Sequence, residues 1–207
     1  TENRAEVNET GLDYLFNIPI SPFNGISGNP ILSCVHNINN PRDEELPVIK
    51  VCIMDSGYSS DLFTLPVTSG YNYVHKNSNL QDDNGHGSKV AYIIEKTIFQ
   101  NSFNASNIEF DIRKTHNIDG QGLLSNIILA TEEAILNGVN IINMSFSYFD
   151  ELNDFESNIF QETLNIAEAN NVLIVCASGN ESIEVQKPNS GLTSYPTIFE
   201  NYNIISV

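Results

Sequence analysis

From Pro47 onward the chain alternates between two hydrophobic patterns. Short continuous apolar runs, "VIKVCIM" (48–54), "NIINMSF" (140–146) and "VLIVC" (172–176), each break off into small or polar residues. Such a run predicts a strand covered on both faces, as in a parallel sheet. Between them lie stretches with helical spacing. "GSKVAYIIEKTIF" (87–99) places Val90, Ala91, Ile94 and Ile98 on one side and predicts a helix beginning near Gly87. "SNIILATEEAILNGV" (125–139) predicts a second, with Ser125 capping its start and Gly138 stopping it. "FESNIFQETLNIAEANN" (155–171) predicts a third, and "IEFDIRKTH" (108–116) and "NYNIISV" (201–207) read as further strands.

Strands alternating with helices predict an α/β fold of three layers, a mostly parallel central sheet with helices on both faces, incomplete at its carboxyl end. Residues 1–46 differ: Gly, Pro and Asn recur in "NIPISPFNGISGNP" and "NINNPRDEELP", which reads as an irregular N-terminal extension or arm. Residues 47–207 form the expected domain. In parallel sheets functional groups collect beyond the carboxyl ends of the strands, which singles out "MDSG", "NMSFS" and "ASGN".

Charge removes several functions. Nine Lys and Arg stand against 26 Asp and Glu in 207 residues, a net charge of −17. No basic stripe exists for a nucleic acid, and an anionic membrane surface would repel the chain. Three cysteines cannot make a fully paired framework; Cys52 and Cys176 lie in apolar runs, where a thiol acts as a small core group. Unpaired cysteines and the lack of a secretory signal favour a cytoplasmic setting, with secretion after processing as the alternative, since the chain starts at Thr1.

Three residues at strand or helix ends carry candidate chemistry. Asp55 follows the first apolar run, His86 stands between Gly85 and Gly87 where a helix begins, and Asn180 follows the run at 172–176. Each has a plain reading: Asp caps turns, a loop histidine is often incidental, and Gly-Asn is a turn. Together they offer a carboxylate, a base and a neutral donor on one side of one sheet.

In this order the motifs "VCIMDSG", "DDNGHGSKVA", "IINMSFS", "VLIVCASGNES" and "SYPTIFENYNIISV" resemble the subtilisin-like serine proteases across most of residues 47–207. The resemblance implies a serine endopeptidase with an Asp-His-Ser triad. Asp55 would orient His86, His86 would act as general base, and Asn180 would donate to the oxyanion. Ser145, Phe146 and Ser147 would form one edge for the substrate backbone, and Gly120, Gln121 and Gly122 the opposing one. Ala177, Ser178 and Gly179 would line a side-chain pocket with Ser194 at its floor.

The family's serine lies in a later "GTSMA" helix, and these residues end at Val207 before it. The expected nucleophile therefore belongs to a complementary C-terminal fragment, and this chain alone should be inactive. A catalytically inactive binding or regulatory module is the alternative. The partners expected are a peptide or protein substrate and that fragment. No cofactor is expected. The family's calcium loop has no counterpart in "TIFQNSFNASNIEF", and Asp82, Asp83 and Asn84 read as a solvated turn. "DGQGLLS" lacks the lysine of a phosphate loop, which sets a nucleotide-dependent enzyme aside. Two substitutions distinguish the His helix, Lys89 for a second histidine and Tyr92 for a small residue; Tyr92 should need room in the packing.

Overall fold

In a computed structural model, residues 15–17, 47–61, 66–100, 107–149, 152–180 and 193–207 are described. Their centre is β2 (Ile49–Asp55), flanked by β4 (Ile108–Lys114) and β6 (Ile141–Met144). Beyond β4 lies β3 (Val67–Asn72); beyond β6 lie β8 (Leu173–Cys176) and β10 (Ile204–Ser206). The six strands run parallel in the order β10-β8-β6-β2-β4-β3. The chain winds to one side of β2 first and to the other afterwards, so the winding reverses at β2, where parallel sheets open their crevice.

Alternation along β2 divides the core. Val51 and Ile53 face α1 (His86–Gln100) with Ala91, Ile98, Phe110 and Ile112. Cys52 and Met54 face the opposite layer, α2 (Leu124–Leu136) and α3 (Asp154–Ala169), with Ile142, Met144, Ile174 and Cys176. Both faces of a central strand are thus apolar, which is why the run at 48–54 shows no period of two. The three-layer α/β expectation holds, and Cys52 and Cys176 are free core thiols, while Cys34 lies outside the described residues.

Several local readings change. Ser125 does not cap α2: the helix starts one residue earlier, its N-cap is Leu123, and no side chain closes it. Gly138 does end it, at φ +71° with its N–H on the Ile135 carbonyl. α3 carries a capping box, Asn153 with Glu156. Tyr92 takes no room in the core; it faces solvent beneath the Lys96 ammonium, 5.3 Å from the ring centroid. Two antiparallel pairs were unforeseen, β1 (Leu15–Asn17) with β5 (Gln121–Leu123) and β7 (Tyr148–Phe149) with β9 (Ser194–Tyr195). So the arm is not irregular throughout: β1 lies along β5.

The α2 side of β4 holds an ion pair in the core. Arg113 reaches Asp111 at 2.8 Å and Glu133 at 3.1 Å, with Asp111 and Arg113 both buried. The Tyr73 hydroxyl accepts from Arg113 and donates to Glu133 at 2.6 Å. Removing one buried partner strands the other's charge, whereas replacing both with apolar groups is nearly neutral. Arg113→Leu should therefore cost about 3–5 kcal/mol in urea unfolding, and adding Asp111→Leu should recover most of it. A double variant no more stable than Arg113→Leu would show that the pair is not a closed unit.

Candidate active site

Asp55 ends β2 with its carboxylate 1% exposed. Its own carbonyl accepts from the N–H groups of Thr115 (2.9 Å) and His116 (3.3 Å), which locks the end of β2 to the end of β4. Its Oδ1 accepts from the Ser56 N–H at 2.7 Å. Gly57, at φ +112°, then turns the chain away. His86, the first residue of α1, brings Nδ1 to 2.9 Å from Oδ1 and 3.0 Å from Oδ2 of Asp55. A carboxylate only accepts, so Nδ1 carries the proton and Nε2 of the neutral ring presents a lone pair.

Asp82 fixes where α1 starts. Its Oδ1 accepts from the Ser56 hydroxyl (2.8 Å), the Gly85 N–H (2.8 Å) and the Asn84 N–H (3.1 Å). Oδ2 accepts from the Ser88 N–H (2.8 Å) and hydroxyl (2.6 Å). The Ser56 hydroxyl in turn accepts from the Gly87 N–H at 3.0 Å. Helix N-terminal amides that would lack partners are thereby met, and the Asp turn is tied to the His loop. Burial opposes the charge on Asp82, yet the donors from Ser88, Gly85 and Ser56 outweigh it and hold its carboxyl below 3.8. Lys114, buried at the end of β4, places Nζ 2.5 Å from the Ser56 carbonyl and 2.6 Å from Asp83 Oδ1. Asp83 and Asn84 are exposed, as a solvated turn requires, but Asp82 is half-buried, and both carboxylates also bond protein donors.

The glycines beside His86 serve different ends. Gly85 sits at φ +96°. Gly87 is there for proximity: a Cβ would stand 2.1 Å from the Gly57 carbonyl and 3.2 Å from the Asp55 Cβ. Only glycine lets α1 approach closely enough for the His86–Asp55 contact.

Other expected residues follow the strand ends. Ser145 comes after β6, where its Oγ accepts from Asn143 Nδ2 at 2.8 Å; Phe146 and Ser147 are buried. Directly after them comes β7, which pairs with β9. Ala177 and Ser178 run from β8 between the ends of β6 and β10, through Ala177 N–H to Met144 O (3.1 Å) and Ser178 N–H to Val207 O (2.7 Å). Ser194, on β9, lies beside them with Oγ 3.4 Å from the Ser178 carbonyl. Gly179 adopts φ +108° and Asn180 follows, exposed. Asp55 at the carboxyl end of β2, and Ser145 and Asn180 beyond those of β6 and β8, thus share one edge of three adjacent strands. On the opposite side Gly120 turns at φ +76°, and Gln121 and Gly122 lie in β5 against β1.

A model of the Subtilase family matches residues 48–207. The chain belongs to the subtilase family. It is 31% identical over 162 residues to the minor extracellular protease Epr of Bacillus subtilis (strain 168), covering 76% of this chain and 23% of that protein. It is 30% identical over 157 residues to subtilisin BL of Lederbergia lenta, covering 74% and 53%. Among solved structures, a lanthipeptide protease superposes with a TM-score of 0.65 at 22% identity, over 76% of this chain and 47% of that one. The leader-peptide-processing serine protease of epidermin from Staphylococcus aureus gives 0.61 at 17%, over 78% and 46%. This subtilase chain therefore spans between about a quarter and a half of the relatives it matches.

Sequence reasoning missed three residues of the site: Asp82, Lys114 and His116. His116 is wholly buried beside Phe146, ring centroids 4.6 Å apart. Burial first, then the charges of His86 and Lys114, push its imidazole down from 6.5 to about 3. The unfolded chain takes up a proton here near pH 6.5 that the folded chain refuses. This contribution to stability is complete above 6.5 and is lost as the pH falls towards 3. Asp82, held below 3.8, contributes above 3.8 and loses its contribution below it. The melting temperature should thus fall from about pH 7 to pH 5, and His116→Leu should flatten that part of the curve. Asp82→Asn should alter the slope only below about pH 4. A melting curve level from pH 7 to 5 would contradict a buried neutral His116.

Proposed function

We propose that this subtilase chain supplies the aspartate and histidine of an Asp-His-Ser triad in a serine endopeptidase. The observation that carries the reading is His86 Nδ1 within 3.0 Å of both oxygens of a buried carboxylate. The nucleophilic serine comes from outside residues 1–207. Among the described residues, three serines near the site are engaged elsewhere: Ser56 with Asp82 and Gly87, Ser145 with Asn143, and Ser178 with the Val207 carbonyl.

In this mechanism the serine hydroxyl attacks the scissile carbonyl while His86 Nε2 removes its proton. The resulting imidazolium is stabilised through Nδ1–H by Asp55 and then protonates the leaving amine. Asp55 keeps its negative charge throughout; its role is to fix the tautomer. Asn180 donates to the tetrahedral oxyanion, a contribution of about 3–4 kcal/mol for an amide so placed in subtilisin. The substrate backbone lies between the β5 edge and the segment from Ser145 to Ser147, so it takes the place that β1 holds along β5. Ala177, Ser178, Gly179 and Ser194 line a side-chain slot. The reaction needs no metal or organic cofactor. Secretion is the setting carried forward, because one relative is by name an extracellular protease, and buried thiols such as Cys52 and Cys176 remain unpaired in any compartment.

The test uses the longer protein that carries the serine. A fluorophosphonate should label it, and Asp55→Ala and His86→Ala should each lower kcat/KM on a peptide substrate at least about 10³-fold. Labelling with near-wild-type turnover in either variant would refute the assignment. A full-length protein that takes no label would favour a binding module.

A further inference from the structure

His116 plays no part in that mechanism, yet its ring lies between the two edges of the groove. Gly122 is its cross-strand neighbour. Antiparallel neighbours point to the same face, and Gly122 offers no side chain there. The outer edge of the imidazole fills the space: a Cβ on Gly122 would meet Nε2 at 2.7 Å, Cδ2 at 2.8 Å and Cε1 at 3.0 Å. Nδ1 lies 2.9 Å from Thr115 Oγ1, while Nε2 is buried with no hydrogen-bond partner among the described residues. Leaving a buried polar atom unmet is costly.

The strand register shows what would meet it. Gln121 directs its N–H and C=O inward, to Asn117. By alternation the backbone of Gly122 faces outward, to β1, where Phe16 stands opposite. The register thus sets position 16, Gly122 and His116 in one row across the strands, with no Gly122 side chain in that row. A phenylalanine carries no polar side-chain atom to offer there.

We propose that His116 selects the strand seated on β5, favouring a peptide with an amide side chain, asparagine or glutamine, opposite Gly122. The Thr115 hydroxyl can donate to Nδ1 or accept from it, so Nε2 is either donor or acceptor. An amide carries both groups and matches either tautomer. An apolar side chain matches neither, and a lysine or arginine would add positive charge beside Lys114 and His86, whose charges already act on His116. β1 is then an imperfect occupant of the groove, displaced by a strand that satisfies Nε2. The extension to substrates rests on the protease reading; the pairing preference does not.

Hydrogen exchange at the Gly122 amide, followed by NMR in the full chain, measures how firmly β1 is held. Phe16→Asn should slow exchange about tenfold. Combined with His116→Leu, the same substitution should give no slowing. Combined with His116→Gln, which keeps a hydrogen-bonding group, it should still slow exchange, and this variant decides the matter if His116→Leu does not fold. An equal effect of Phe16→Asn with and without His116→Leu overturns the proposal, as does slowing lost in the His116→Gln background. In the longer protein, peptides with Asn rather than Leu at this position should show a higher kcat/KM by about tenfold. Exchange coupling without cleavage of either peptide supports the selection by His116 and counts against the protease reading alone.

Discussion

The carboxylate of Asp82 is the constraint from which the rest of the site follows. α1 must begin within reach of Asp55, and a helix start brings amides that need acceptors. Asp82 meets those of Gly85 and Ser88 directly and that of Gly87 through the Ser56 hydroxyl. Since Ser56 immediately follows Asp55, the group that caps the helix also holds the turn carrying the other half of the His86–Asp55 pair. Each such bond is worth only about 1–2 kcal/mol, but none can slip without leaving a buried donor unmet. Geometry is fixed here by the cost of the alternatives rather than by the strength of any one contact.

Concentrating carboxylates raises an electrostatic problem. Asp55, Asp82 and Asp83 lie within one turn region of a chain whose net charge is −17. Like charges at such range repel one another unless cations or donors intervene. Lys114 is the intervening cation: it enters from β4, buried, and bonds both Asp83 and the Ser56 carbonyl. Asp82 uses neutral donors, and Asp55 uses the Ser56 amide together with His86. Three carboxylates therefore have three different compensations, and only that of Asp55 can gain a positive charge during a reaction.

The fold was legible because parallel strands buried on both faces leave continuous apolar runs. β2, β6 and β8 were readable on that ground, and the polar residues that end them marked the site's edge. β3 (VTSGYN) was not legible, since an edge strand with Thr68 and Ser69 lacks such a run. β1, β5, β7 and β9 are two or three residues long and exist through their partners, which local pattern does not encode. Asp55 and His86 stood out by position. Asp82 and Lys114 did not, because their function is a contact across 31 residues between Lys114 and Asp83, and across 26 between Ser56 and Asp82. A signal was present in the spacing from Asp82 to Ser88, a carboxylate ahead of a helix start, but it reads equally well as a solvated turn.

Two imidazoles near one groove pose a question of proton placement. His86 is partly exposed and faces a carboxylate through Nδ1. His116 is wholly buried, faces a threonine hydroxyl, and feels the positive charges of His86 and Lys114. Protonating His116 would bury a charge beside Lys114. Burial thus keeps His116 neutral and leaves its ring to act by shape and hydrogen bonding. In the proposed enzyme the two rings therefore divide the work: His86 faces a carboxylate, and His116 faces the strand seated on β5.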